Sequence, residues 1–214
     1  MASEKTRAEL NYEARVDIAT AYRACNYYDL DYGIFNHITQ RAPARDREGD
    51  VMLVVPHGLL WNEVTASCMI GVDFETGKVV EGEGEIAKTA NAIHRAIHKI
   101  RYPIDGTVSI MHTHQPYTTC LACVDDPEPF KFRLTQGSMF MYGKMEFDYN
   151  YTGVAHADEE GYRLAKVLAQ STGMKLLQAP EKVAKEVASC PFGDDVNLFF
   201  NALKRQMTQP CVTA

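Results

Sequence analysis

The amino-acid sequence predicts one α/β domain in which helices pack on a central sheet, and three observations support this fold class. Apolar residues recur at the spacing of a helix face in several segments, and short apolar runs of strand length lie between them. Helical and strand patterns mix along the chain, as in domains built from sheet and helix layers. The 214 residues are 46% hydrophobic and 23% charged, a composition that can bury a core. We therefore expect residues 1–214 to form a single domain.

The first half of the chain predicts one helix and three strands. The predicted helix face consists of five apolar residues at helical spacing: Leu10, Ala14, Ile18, Ala21 and Cys25. Three segments of strand length follow, at 34–39, 51–55 and 68–74, and the second is an almost continuous apolar run. Turn-forming and charged residues at 43–50 and 75–78 separate these elements from their neighbours.

The second half predicts more helices than strands. The strongest pattern runs from Ile86 to Arg101, and Pro103 just beyond it predicts the end of that helix. An alternating strand at 107–112 precedes a helix at 117–124, with Pro116 near its first turn. The remaining predictions are strands at 138–142 and 145–147 and helices at 158–170, 181–188 and 196–207.

Composition and charge exclude several classes of protein. The 22 basic and 28 acidic residues give a net charge of −6, and no basic run occurs, so we expect no nucleic-acid partner. No stretch approaches the roughly 20 apolar residues of a transmembrane helix, and the N-terminus lacks a secretory signal. These observations predict a cytoplasmic protein. The Cys120–Cys123 pair could be a redox or zinc motif, but no second C-x-x-C accompanies it, which favours small apolar packing.

The sharpest local motif is His112-Thr113-His114 at the end of a predicted strand. Side chains at positions i and i+2 of an extended segment lie on the same side, so both imidazoles can reach one zinc ion at about 2.0–2.1 Å. The alternative is a pair of hydrogen-bonded histidines in a tight turn before Pro116. A catalytic zinc site needs about three protein ligands, so a third ligand must come from elsewhere in the chain.

Small polar side chains and a glycine turn form a second candidate group. Asn36, the His57-Gly58 turn and Thr89 could donate hydrogen bonds to a phosphate or carboxylate group. Without further context, ordinary turn and helix-cap chemistry explains the same residues.

His94 and His98 lie four residues apart on one predicted helix, which is also a spacing of metal ligands. Arg95 stands where a His-Glu-x-x-His motif would have its glutamate. The two histidines flank the apolar stripe of the helix, so a packed or capping role is favoured over metal binding.

Four segments taken in order resemble the class II aldolase/adducin family, and those around Asn36 and from Gly58 to Ser67 are closest to its adducin-like branch. They are FNHIT at 35–39, VPHGLLWNEVTAS at 55–67, IHRAIH at 93–98 and HTHQP at 112–116. The resemblance covers roughly residues 8–170, and 171–214 would be a C-terminal helical segment. It implies a class II aldolase-like α/β/α fold with a central, largely antiparallel sheet, and commonly a tetrameric ring.

The resemblance also implies a site and two departures from it. Two of the family's three zinc-binding histidines match His112 and His114, and the phosphate pocket would fall on Asn36, on His57-Gly58 and on Lys88-Thr89. The family's catalytic glutamate falls on Ala90, which cannot move a proton. The third histidine belongs to an Asn-His-Gly turn that does not occur in this sequence. An internal block after residue 173 is therefore expected to be missing, which would leave the sheet incomplete.

Two functions follow from the resemblance. The first is an adducin-like, non-catalytic domain that acts through protein contacts, associated with the actin–spectrin cytoskeleton, with no catalytic residue. The alternative is a zinc-dependent aldehyde-lyase acting on a small hydroxy-carbonyl or sugar-phosphate substrate, with His156 or His94 as the third ligand. Lost strands would expose a sheet edge, so we also expect a homo-oligomer.

Overall fold

A computed structural model describes residues 4–126, 136–139, 141, 144–150, 158–171, 200–201 and 204–205. Five strands form one antiparallel sheet in the order β4-β3-β2-β1-β5: β1 (His37–Pro43), β2 (Asp50–Val54), β3 (Ile70–Asp73), β4 (Val79–Glu81) and β5 (Ser109–His112). The helices are α1 (Arg7–Tyr27), α2 (Lys88–Asp105), α3 (Pro116–Ala122), α4 (Gln136–Met139) and α5 (Asp158–Ser171), with short 3-10 turns at Trp61–Glu63 and Ala66–Cys68. The mixed α/β fold class with its antiparallel sheet is confirmed.

Helix α1 covers one face of the sheet. Its first turn is closed by a capping box between Thr6 and Glu9, which satisfies backbone donors at the helix start. Buried residues of α1 pack against alternate residues of β1 and β2 and against Trp61. The Tyr22 hydroxyl donates to the Ile38 carbonyl at 2.6 Å and accepts from the Ile38 N–H at 2.8 Å, so it fixes α1 against β1.

The opposite face of the sheet carries α2, and α5 packs on α2. A second apolar cluster lines this face of β2 and β3: Met52, Val54, Ile70, Val72 and Phe74. Arg95 of α2 donates to both carboxylate oxygens of Asp158 at 2.7 Å, which ties the start of α5 to the middle of α2. Gly161 and Ala165 of α5 are buried where the helices meet.

The strand register determines which side chains face α2. In β1, Ile38 packs on the α1 side, so His37 and Thr39 project toward α2 because successive side chains alternate. The register between β1 and β5 pairs His37 with His112 and Thr39 with Ile110. The end of the sheet where β1 begins and β5 ends therefore carries two histidines side by side on the α2 face.

Several element boundaries differ from the sequence-based predictions. Strand β1 begins at His37 rather than at residue 34, because Gly33 has a φ of 55° and the chain turns through residues 33–35. Helix α2 continues past Pro103 to Asp105 and ends where Gly106 takes a φ of 69°. Pro103 lies in the last turn, so few intrahelical hydrogen bonds depend on it. The sequence pattern does not predict strand β4, since it is only three residues long.

The strands predicted at 138–142 and 145–147 are wrong for the residues that the structure describes. Residues 136–139 form a helical turn and 145–147 have no strand partner. Such short apolar runs fit either element, so periodicity cannot choose between them. The helix predicted at 181–188, the junction at 173 and most of the terminal helix lie outside the described residues, although 200–201 and 204–205 are helical. Within the described chain, no helix has the length and apolarity needed to cross a membrane.

Candidate functional site

The candidate residues meet where β1 begins, β5 ends and α2 starts. His37 is the first residue of β1 and His112 the last of β5, and antiparallel pairing brings these two ends together. Asn36 directly precedes β1, and His94 reaches the same region from α2. The sheet edge and the helix thus converge on one end of the domain.

The His112 and His114 side chains lie on the same side of the chain, as their spacing predicts. Their Nε2 atoms are 2.7 Å apart, so one imidazole donates a hydrogen bond to the other. Tyr32 stacks on the His114 ring with 5.8 Å between ring centroids. Burial, and next the neighbouring His114, lower the pKa of His112, which keeps its imidazole neutral and able to act as a ligand at pH 7.

Behind this pair lies a buried chain of hydrogen-bonded side chains. His37 Nδ1 is 3.2 Å from His94 Nε2, His94 Nδ1 is 2.9 Å from the Thr39 hydroxyl, and that hydroxyl is 3.0 Å from His98 Nε2. All four residues are more than nine-tenths buried. Burial is the main cause that lowers the pKa of His37 and of His98 to about 4, and that of His94 well below its usual range. All three histidines are therefore neutral at pH 7.

The positions of the His112 and His114 nitrogens can be compared with the ligand geometry of a tetrahedral zinc ion. Two imidazole nitrogens on one tetrahedral zinc are about 3.3 Å apart when each bond is about 2.0–2.1 Å, so His112 and His114 need only small rotations to share a metal. No three His, Cys, Asp or Glu side chains among the described residues are placed to hold a metal as they stand. His94 is engaged by His37 and Thr39, and His156 lies outside the described residues. The pair thus fits two ligand positions, with no third ligand in place.

A small cavity adjoins this cluster. Its open volume of about 10 Å³ suits a single water molecule. Asn36, His57, Gly58 and Ala90 line it, together with apolar residues. Asn36 is 2% exposed, and neither its amide nitrogen nor its amide oxygen has a hydrogen-bond partner in the described part of the chain. Because a buried unpaired amide costs free energy, this side chain is available to a polar ligand or a water.

The N-terminus of α2 forms another wall of the cavity. Ala87 is the N-cap residue, and its side chain provides no hydrogen bond to the N–H groups of the first turn. Thr89 lies in this turn, half-buried, but it is not among the cavity-lining residues. The structure thus brings Asn36, His57 and Gly58 to one cavity and leaves Thr89 beside it. Helix N-termini of this kind favour anions.

The sequence pattern does not reveal the contacts among His37, Thr39, His94 and His98. The packed role favoured for His94 and His98 agrees with their burial. The i, i+2 spacing of His37 and Thr39 on a strand could have signalled that both face the same helix. Which helix they face depends on tertiary packing, which no local pattern specifies.

Comparison with known proteins identifies the family. The family model described as the class II aldolase and adducin N-terminal domain matches residues 16–179. The chain belongs to the class II aldolase and adducin family. This class II aldolase/adducin domain is 30% identical over 160 residues to a Pseudomonas aeruginosa protein whose name assigns it provisionally to aldolase class 2. The match covers 75% of this chain and 58% of that relative.

Adducins are also among the relatives. Rat alpha-adducin is 32% identical over 104 residues, which are 48% of this chain and 13% of the adducin. An adducin-related protein of Schizosaccharomyces pombe is 36% identical over 115 residues, 51% of this chain and 34% of that protein. The class II aldolase/adducin domain therefore spans less than two thirds of the length of these relatives.

Solved structures share the fold. An aldolase II superfamily protein from Pseudomonas syringae has a TM-score of 0.73 at 23% identity, with 95% of this chain and 94% of that chain covered. L-fuculose 1-phosphate aldolase from Glaciozyma antarctica has a TM-score of 0.61 at 20% identity, with 96% and 94% covered. Both structures have the fold of the class II aldolase/adducin domain, and the likeness extends to fold alone.

Proposed function

We propose that this chain is an adducin-like, non-catalytic class II aldolase/adducin domain that acts through protein contacts. One observation carries the proposal: Ala90, which stands where the family resemblance expects the catalytic glutamate, is fully buried in the wall of the cavity. The cavity lining contains two titratable residues, His37 and His57, and no carboxylate. His37 has its pKa lowered to about 4 by burial, so it is a weak base for proton transfer at pH 7.

An exposed group of aromatic side chains supports a role in protein contacts. This aromatic surface consists of Tyr27, Tyr28, Tyr32, Phe35 and Tyr117, all of which are exposed. Ring contacts join Tyr27 to Tyr28 and Tyr32 to Phe35, and Tyr32 also stacks on His114. Tyr117 is 88% exposed on α3. Exposed apolar groups of this kind mark interaction sites, and aromatic residues are enriched at the centres of protein interfaces.

Sequence similarity to adducins supports a partner in the cytoskeleton. We infer a cytoplasmic protein associated with the actin–spectrin cytoskeleton, because rat alpha-adducin and an adducin-related protein are among the relatives of this chain. The domain would bind as a homo-oligomer, which multiplies weak contacts into a stable attachment.

Co-sedimentation of the purified chain with actin filaments, with and without spectrin, tests this proposal. Replacing Tyr32 and Phe35 together by serine is expected to weaken binding by about 10-fold or more, since aromatic anchors carry much of an interface. Tyr12→Ser is the matched control, because Tyr12 is an exposed tyrosine on α1 about 22 Å along the helix from Tyr27. Binding that survives the double substitution, or no binding by the unaltered chain, would contradict the proposal.

The converging His112 and His114 nitrogens favour a second candidate, a zinc-dependent lyase for a small hydroxy-carbonyl or sugar-phosphate substrate. A bound zinc ion would act as a Lewis acid on the substrate carbonyl oxygen. Asn36 and the N-terminus of α2 would hold the anionic group. Release of an aldehyde from a sugar phosphate by the zinc-loaded chain, abolished in His112→Ala, would support the lyase. Turnover at the rate of the buffer control would remove it.

A further inference from the structure

Cys120 and Cys123 form a C-x-x-C motif that neither proposed function uses. Cys120 lies in helix α3, and Cys123 is the C-cap residue of that helix. Both are exposed free thiols, and no residue of α3 is buried. The apolar packing that the sequence favours for this pair does not account for them, because packed side chains would be covered. The chemistry of two accessible thiols on one helical turn does.

The backbone of α3 holds the two cysteines at a separation that a disulfide can span. Residues i and i+3 of an α-helix have Cα atoms about 5 Å apart, within the range of about 4.4–6.8 Å found in disulfides. The Cys123 N–H donates to the Cys120 carbonyl at 3.2 Å and to the Thr119 carbonyl at 3.1 Å, so the last turn is partly 3-10. Side chains at i and i+3 are eclipsed in a 3-10 turn, which brings the two Cβ atoms toward each other.

Helix α3 can make the remaining adjustment at a small cost in free energy. A disulfide needs Cβ atoms about 3.5–4.5 Å apart, whereas neighbours on a regular helix are about 5–6 Å apart. The helix is 7 residues long and buries none of its side chains. Segments with few buried apolar contacts open locally with little free energy, so the last turn can tighten by about 1–2 Å.

Two other cysteines in the described part of the chain are less accessible to exchange. Cys25 and Cys68 are half-buried. Burial, and next the charge of Asp31, raise the pKa of the Cys25 thiol, which lowers its fraction of reactive thiolate. The Cys68 thiol donates to the Thr65 carbonyl at 3.1 Å. Thiol chemistry in the described residues therefore concentrates on α3.

We propose that Cys120 and Cys123 form a reversible disulfide by exchange with a small disulfide such as oxidised glutathione. The thiolate of one cysteine attacks a glutathione sulfur, which forms a mixed disulfide and releases one glutathione thiolate. The second cysteine attacks the protein sulfur of the mixed disulfide, which closes the ring and releases the second glutathione thiolate. The cysteines lose two electrons and two protons, and the glutathione disulfide takes up both as it becomes two thiols. This modification is independent of both proposed functions.

Treatment of the reduced full chain with oxidised glutathione, followed by alkylation, trypsin digestion and mass spectrometry, tests this site. Cleavage after Arg101 and Lys131 releases one peptide, residues 102–131, in which Cys120 and Cys123 are the only cysteines. We expect this peptide to become lighter by two hydrogen atoms and to lose both alkylation sites. Excess reduced glutathione should restore both sites, because exposed disulfides are the readily reduced ones.

Serine variants separate ring closure from the independent reaction of two thiols. Cys120→Ser and Cys123→Ser should each stop at the mixed disulfide, so that the 102–131 peptide gains the mass of one glutathione. Cys25→Ser is the matched control, since it removes a half-buried thiol on α1, and its 102–131 peptide should close as in the unaltered chain. Circular dichroism of each variant checks that the fold is retained.

Three results for the unaltered chain would overturn the assignment. The first is a 102–131 peptide that keeps both alkylation sites. The second is a peptide that carries two glutathiones, which would mean that the thiols react independently. The third is a peptide linked to a different cysteine of the chain. If a serine variant does not fold, the mass of the unaltered peptide still decides.

Discussion

Thr39 is the residue on which the buried histidine chain depends. Its single hydroxyl bridges His94 and His98, and all three side chains are buried. Thr39→Val keeps the shape of the side chain but leaves two imidazole nitrogens without partners. We expect the free energy of unfolding to fall by about 1–3 kcal/mol, the cost of buried unsatisfied polar groups, as measured by urea denaturation. Thr39→Ser retains the hydroxyl and should lose less than half as much. Equal losses in both variants would show that packing, and not the hydrogen bonds, is responsible.

Burial of His98 predicts that stability depends on pH. Its pKa falls from 6.5 to about 4 on folding because burial, and next the charge of Arg41, disfavour the imidazolium. Between these values the unfolded chain binds more protons than the folded one, so acid favours unfolding. The contribution is complete above pH 6.5 and is lost as the pH falls toward 4. It is on the order of 3 kcal/mol, and His94 adds in the same direction.

Urea denaturation at several pH values between 7 and 4.5 measures this slope. His98→Gln provides the control, because an amide can still accept from Thr39 but does not titrate in this range. We expect a shallower dependence on pH in that variant. A slope identical to that of the unaltered chain would assign the acid sensitivity to other groups.

At the scale of elements, the contact between α2 and α5 depends on one glycine. A Cβ at Gly161 would meet the carbonyl oxygen of Ala92 inside contact distance, so the helices can approach this closely only without a side chain there. Replacing glycine by alanine in an exposed helix usually stabilises it by up to about 1 kcal/mol. Gly161→Ala should instead destabilise the domain by about 1–3 kcal/mol, measured by thermal or urea unfolding. Lys166→Ala on the exposed side of α5 should change stability little. A stabilised Gly161→Ala would mean that the helices pack less tightly.

Among the helices and strands, the sequence predicts the long and strongly periodic ones. Helices α1 and α2 and strands β2 and β5 agree with their predicted bounds within a few residues, because long periodic faces and buried apolar runs are strong signals. Pro103 does not end its helix as predicted, since a proline in a last turn breaks few hydrogen bonds and Gly106 provides the actual end. Ser138 and Met139, which the sequence pattern predicts to begin a strand, belong to a helical turn at 136–139, because so short a segment does not reveal a period. Local signals fail where an element is short or where tertiary contacts decide.

At the scale of the whole molecule, the candidate site combines segments far apart in sequence. The i, i+2 spacing predicts that His112 and His114 lie on one side, and the structure places their nitrogens 2.7 Å apart. The sequence does not predict that His37 lies beside them, because this neighbour depends on the register of β1 against β5. Register is set by packing across the whole sheet. A local motif shows which residue types a site contains, whereas the residues that lie beside that motif depend on the order and register of the strands.

The exposed edge strand β5 predicts that the domain associates with other copies of itself. It forms one edge of the sheet order, its outer side pairs with no strand among the described residues, and Met111 within it is 56% exposed. Edge strands with exposed apolar side chains pair with other chains unless a charge opposes it. We therefore expect a homo-oligomer whose midpoint of thermal unfolding rises with protein concentration, because association stabilises only the folded state.

Met111→Lys should weaken association by about 10-fold or more in sedimentation equilibrium, the equivalent of about 1.4 kcal/mol. Val80→Lys on β4, at the opposite edge of the sheet, is the matched control and should assemble as the unaltered chain does. A cooperative transition in a dilute monomer, with a midpoint independent of concentration, would contradict the expected dependence on assembly.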